Sequence, residues 1–136
     1  MSDLEDLYQS VILDHDRAPR NYGRAEPETH RAQAYNPLCG DSLTVSLTVC
    51  GDTLQTIKFE ANSCAIARAS ASLMTEALSG NSIARAREIA AAFDLLLRGQ
   101  PSEAPSTLEA LQGVRSFPTR IRCAKLPWKA LLEALQ

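Results

Sequence analysis

The stretch Leu43-Thr44-Val45-Ser46-Leu47-Thr48-Val49 alternates aliphatic with hydroxylated side chains, the period of two that an extended chain shows when one face is buried. Gly51-Asp52 supplies a turn, and Leu54 to Glu60 resumes with Ile57 and Phe59 on one side and Thr56, Lys58 and Glu60 on the other. The centre of the chain therefore reads as a β-hairpin. Upstream, the polar segment from Pro19 to Pro37 leaves room for one short strand around 29–35. Downstream, the period changes. Asn62 and Ser63 are good helix N-caps, and Cys64 to Ser79 carries Ile66, Ala69, Leu73 and Ala77 along one face before Gly80, which puts Cys64 in a first helical turn.

Further helices follow from the same logic. Ser82 to Arg98 places Ile83, Ala86, Ala90, Phe93 and Leu97 inward and ends at Gly99. Leu108 to Leu111 allows a short turn, and Trp128, Leu131, Leu132 and Leu135 mark a final helix. Pro127 either starts that helix or interrupts one begun near Pro118. At the other end, Leu4, Leu7, Tyr8, Val11 and Ile12 recur at helical spacing behind Ser2-Asp3-Leu4-Glu5, a capping-box pattern, and this helix should end before Pro19. Strands followed by a run of helices give an α+β class: a small antiparallel sheet of about three strands with helices packed on one face. At 136 residues, one domain over 1–136 is expected.

Composition narrows the function. A net charge of -2 argues against a general nucleic-acid partner, which needs a basic excess. No apolar run approaches a membrane span, and the acidic start, with Asp3, Glu5, Asp6, Asp14 and Asp16, lacks the pattern of a signal peptide. A cytoplasmic setting is expected, where thiols stay reduced and the four cysteines read as thiols or metal ligands. Arg115, Arg120, Arg122, Lys125 and Lys129 form a basic stretch near the C-terminus.

Three cysteines have settings that favour a thiolate. Cys39 stands two residues before Asp41, so in an extended segment both would project to one side, and Gly40 leaves room for close approach. Cys64 would feel a helix N-terminus, and Cys123 has Arg120, Arg122 and Lys125 as sequence neighbours. Three thiols and a carboxylate suit four-coordinate Zn²⁺, with the oxygen as the more easily displaced donor. The separations along the chain match no zinc-finger spacing, which leaves the metal site open on spacing alone. Cys50, at the hairpin turn, reads as a half-exposed bystander, and His15 and His30 as satisfied or solvated imidazoles. There is no zinc-deaminase pair, no nucleophile elbow and no phosphate-binding loop.

Four longer stretches resemble a known family. These are Ile12-Leu13-Asp14-His15 with Pro19-Arg20-Asn21-Tyr22-Gly23; Asn36-Pro37-Leu38-Cys39-Gly40-Asp41; Cys64-Ala65-Ile66 with Ala69 to Glu76; and Phe117 to Trp128 around Cys123. Together they are similar to the NifU N-terminal/IscU/SufU family of iron-sulfur cluster assembly proteins. Arg122, where IscU-type proteins carry histidine, the missing Leu-Pro-Pro-Val-Lys motif and the long stretch from Ile83 to Val114 place the resemblance nearest the SufU-like branch.

The resemblance implies Zn²⁺ held by Cys39, Asp41, Cys64 and Cys123, or alternatively a [2Fe-2S] cluster on the same ligands. It implies a pyridoxal-phosphate cysteine desulfurase as partner, Cys39 as sulfur acceptor, Arg122 as electrostatic support, and downstream iron-sulfur assembly or acceptor proteins. The chain would be a sulfurtransferase-type carrier or, alternatively, a scaffold that builds and passes on a cluster. Ala61-Asn62-Ser63 stands where the family usually has Gly-x-Gly, which bears on the shape of the loop before Cys64.

Overall fold

The structure is a computed structural model that describes residues 3–136. The side chains of residues 3 and 4 and the capping box at Ser2 lie outside that description. The chain runs α1 (Asp3–Arg17), β1 (His30–Asn36), β2 (Asp41–Cys50), β3 (Thr53–Asn62), α2 (Ala65–Leu78), α3 (Ile83–Leu97), a 3₁₀ segment (Ser106–Ser116) and α4 (Pro118–Ala134). The three strands form an antiparallel sheet in the order β1-β2-β3. Within it Leu43 pairs with Ala61, Val45 with Phe59 and Leu47 with Ile57. That register puts the aliphatic side of the hairpin on one face, and Leu43, Val45, Leu47, Ile57 and Phe59 are all buried against the helices.

The opposite face of the sheet is not left to solvent as strict alternation suggests. Ser46 and Thr48 are buried because the segment between α1 and β1 crosses over them. Ala25 N–H donates to Ser46 Oγ at 2.9 Å, and the Thr48 hydroxyl donates to the Pro27 carbonyl. The same segment closes the outer edge of β3. Gly23 N–H donates to Phe59 O at 2.8 Å and Phe59 N–H to Asn21 O at 3.2 Å, so the edge amides find partners instead of remaining a template for aggregation.

Helix α2 lies between α1, α4 and the sheet, and this explains its burial. It buries Ala67, Ala69, Ser70, Ala71, Ser72, Leu73, Met74 and Thr75, while Ile66 and Ala77 from the expected apolar stripe are only half-buried. Small side chains allow backbone approach on all sides, and each buried hydroxyl has a partner. Ser70 Oγ donates to Ala124 O at 2.6 Å and accepts from Trp128 Nε1 at 3.1 Å; Thr75 Oγ1 donates to Ser72 O at 2.7 Å. Helix α3 starts at Ser82, whose side chain accepts from Arg85 N–H. In α1, Leu7 is exposed, contrary to its place in the expected apolar stripe, and Val11 and Ile12 carry the packing.

The segment from 106 to 116 is longer than the turn expected at Leu108 to Leu111, and it is 3₁₀ rather than α. Leu108, Leu111 and Val114 explain this. They are spaced by three, which eclipses them on a helix of three residues per turn, and all are buried. Leu111→Ala should therefore cost about 2–5 kcal/mol in chemical denaturation, the value for a core leucine and not for a loop residue. Helix α4 resolves the alternatives at Pro127: it starts with Pro118 in its first turn and continues through Pro127. The missing N–H of Pro127 leaves the Cys123 carbonyl without its intrahelical donor.

His15 is buried where α1 meets α2, with Nδ1 2.7 Å from Ser72 Oγ, which also accepts Arg20 N–H at 2.8 Å. Burial, then the charge of Arg20, lowers its pKa against the opposing pull of Glu76 and Asp14. A histidine depressed in the folded state favours the folded chain fully above its ordinary value of 6.5, and that contribution is lost as pH falls below it. Melting temperatures measured from pH 7 to pH 5 should fall more steeply for the native chain than for the His15→Gln variant.

Candidate metal centre

Cys39, Asp41 and Cys123 come from three elements and meet at one end of the sheet. Their ligand atoms lie within 4.8 Å of one another, with Cys39 exposed and the other two buried. Cys39 is not in an extended segment as expected. Residues 37–40 form a turn, with Gly40 N–H donating to Asn36 O at 2.8 Å, and Gly40 adopts φ +74, the left-handed region that glycine enters without strain. This reversal folds Cys39 back over the first residue of β2. Its Sγ is 3.0 Å from Asp41 Oδ2 and 3.8 Å from Cys123 Sγ.

Cys64 lies between β3 and α2. It is itself the N-cap of α2, with extended backbone and no side-chain cap, so neither Asn62 nor Ser63 serves as the expected cap. Its N–H donates to Asp41 Oδ1 at 2.9 Å. One buried carboxylate thus accepts from the Cys39 thiol on one oxygen and from the Cys64 amide on the other. The Cys64 thiol lies outside the three-atom cluster, and it helps to lower the Asp41 pKa and to raise that of Cys123.

The charge balance of these groups tests whether a cation fits. Burial would raise the Asp41 pKa, yet hydrogen bonds from Cys39, the Cys64 amide, Cys123 and Cys64 outweigh it and the carboxyl is held below its usual value. Burial, then Cys64, Asp41 and Cys39, pushes the Cys123 thiol far up. The basic sequence neighbours of Cys123 do not counter this, contrary to expectation. On a helix they point elsewhere: Arg120 stacks over the Phe117 ring at 4.8 Å, Lys125 pairs with Asp94 at 2.9 Å, and Arg122 is exposed. Among the described residues, no basic side chain bonds to Asp41. Two thiols and a buried carboxylate without a counter-ion are a donor set that a thiophilic divalent cation would satisfy.

Tyr22, given no role by the sequence, is a positioning residue for the loop before Cys64. Its hydroxyl accepts Ala61 N–H at 3.1 Å and donates to Ala61 O at 3.2 Å. The ring packs edge-on to Phe59 with centroids 5.1 Å apart, and the Arg68 guanidinium lies 5.8 Å from its centre. Held this way, Ala61 and Asn62 simply extend β3, and neither Asn62 nor Ser63 adopts positive φ, so the replacement of Gly-x-Gly imposes no left-handed backbone. Cys50 is exposed and bonds to Gln55 Oε1 at 3.0 Å, away from this cluster; His30 shares a hydrogen bond with Thr29.

Fold and site define a class: an α+β protein that gathers two thiols and one carboxylate at the end of a three-stranded sheet, with a third cysteine bonded to that carboxylate through its amide. The chain belongs to the NifU-like N terminal domain family, whose model matches residues 7–135. It is 40% identical over 133 residues to the zinc-dependent sulfurtransferase SufU of Bacillus subtilis, covering 96% of this chain and 90% of that protein. It is 37% identical to the iron-sulfur cluster assembly scaffold protein IscU of Streptococcus pyogenes, covering 100% of this chain and 87% of that one. The crystal structure of a protein from Fervidobacterium islandicum, described as a cluster assembly scaffold for the SUF system, superposes with a TM-score of 0.90 at 28% identity, covering 97% and 98% of the two chains.

Proposed function

We propose that this chain acts in iron-sulfur cluster assembly as a zinc-dependent sulfur acceptor. It takes persulfide sulfur from a pyridoxal-phosphate cysteine desulfurase in a reducing cytoplasm and passes it on to cluster assembly. The observation that carries this is the exposure of the Cys39 thiol beside a buried Asp41 and Cys123. Cys39, Asp41, Cys64 and Cys123 would hold Zn²⁺, which when bound supplies charge that keeps these thiols ionised and shielded from oxidation. The SufU relative supports zinc and sulfur transfer as the chemistry.

The transfer is an exchange without net redox change. The Cys39 thiolate attacks the terminal sulfur of the donor's persulfide, the donor's S–S bond breaks, and the donor cysteine leaves as a thiolate. Asp41 accepts a hydrogen bond from the Cys39 thiol in the resting chain, which holds the acceptor sulfur at the mouth of the site. Leu38, next to it, is 67% exposed and offers an apolar contact for the donor protein. Arg122 supplies positive charge at the rim and not contact with a thiol.

The test is incubation with a cysteine desulfurase and cysteine under anaerobic conditions, followed by mass spectrometry. One added sulfur atom on Cys39 is expected, and no sulfur on any cysteine of the chain would overturn the reading. A second reading, a scaffold for a [2Fe-2S] cluster, is favoured by the IscU relatives and by an oxygen ligand that a departing cluster releases easily. Anaerobic reconstitution separates the two: zinc that iron and sulfide do not replace supports the relay, and a cluster that forms and moves intact to an apo-ferredoxin supports the scaffold.

A further inference from the structure

Helices α3 and α4 enclose, with the end of β1, a groove of about 730 Å³ that the sulfur chemistry does not use. Beneath it lie the buried Ala90 and the stacked pair Phe93 and Trp128, with ring centroids 4.5 Å apart, and Tyr35 and Leu132 stand exposed at the wall. Its rim is basic. Arg87, Arg122, Lys125 and Lys129 line it against Asp94 and Glu133, and Asp94 is already engaged by Arg98 at 2.8 Å and Lys125 at 2.9 Å. Arg122 and Lys129 have no hydrogen-bond or ion-pair partner among the described residues, and this positive rim belongs to a chain whose net charge is -2. A local positive potential of this kind attracts groups of negative charge.

We propose that this groove is a docking site for an acidic amphipathic helix of a partner protein. The apolar side of that helix would lie on the exposed Tyr35 and Leu132, over the buried Phe93 and Trp128, with carboxylates on Arg122 and Lys129. An apolar trough between two helices accepts a third helix through anchors spaced by three and four residues. A second copy of this chain fits less well: the acids at the end of its own α1 are committed, Asp14 to Arg20 at 2.6 Å and Asp16 to Arg68 at 3.6 Å. Asn36, Pro37 and Arg122 line the groove and are close in sequence to Cys39 and Cys123, so the groove runs up to the sulfur site. The inference is independent of which metal or sulfur species the cysteines hold.

The experiment uses two fluorescein-labelled helical peptides with leucine on one face and either glutamate or lysine on the other. Titration with the intact chain should show binding of the glutamate peptide only, weakening as salt is added. Trp128 is the one tryptophan of the chain and lies in the groove, so binding of unlabelled glutamate peptide should change its emission. Lys129→Glu and Leu132→Asp alter exposed side chains and should each weaken binding about tenfold. Equal binding of both peptides, no binding of either, or binding with both variants' affinities unchanged would overturn the proposal. So would sedimentation showing a dimer that Lys129→Glu dissociates and the glutamate peptide cannot.

Discussion

Cys39→Ala is expected to lower sulfur acceptance from a cysteine desulfurase by at least about 100-fold, because a nucleophilic thiol has no substitute at that position. Cys39 is exposed in a turn, whereas Cys123 is buried in α4 and Cys64 is half-buried at the start of α2. Neither can present its sulfur to a protein-bound persulfide without the elements around it moving. The loss should come with little change in melting temperature of the metal-free chain, since Cys39 contributes nothing to the core. Labelling of bound sulfur followed by peptide mapping reads the result. Sulfur arriving on Cys64 or Cys123 of the variant at the native rate would reassign the acceptor.

Asp41→Asn should reduce zinc affinity by about 100-fold or more, since even partners one shell out from a metal are worth 10–100-fold. Asparagine keeps the volume and one carbonyl oxygen, so it can still accept the Cys64 N–H that joins β2 to α2. It removes the negative charge and the acceptor for the Cys39 thiol. The fold should survive while the cation loses an anionic donor. Competition against a chromophoric chelator measures this directly. Unchanged affinity in the Asp41→Asn variant would mean that the carboxylate serves only as a backbone anchor for the loop before Cys64.

The β-hairpin and α3 were legible in the sequence because one local signal governs each: alternation from Leu43 to Val49, and Ser82 as a cap ahead of an apolar stripe. The 3₁₀ segment was less so, although the spacing of Leu108, Leu111 and Val114 is a period-three signal that a search for 3.6 passes over. The burial of Ser46 and Thr48 was not legible at all, since it depends on where a distant polar segment crosses the sheet.

At the site, the pairing of Cys39 with Asp41 was foreseen on the wrong geometry: the left-handed turn at Gly40, and not an extended strand, brings them together. The convergence of Cys123 could not be read from spacing, because it depends on how α4 packs against α2 and β1. Its basic neighbours misled for a related reason. Adjacent residues on a helix point about 100° apart, so charge next to a thiol in sequence need not be next to it in space.

The proposal that Cys39, Asp41, Cys64 and Cys123 hold one cation is tested most directly by elemental analysis of the purified, unsupplemented chain. One zinc per chain is predicted, lost on treatment with a strong chelator together with sulfur acceptance and restored by adding zinc back. A chain that carries no zinc, and that accepts sulfur equally well before and after the chelator, would contradict it.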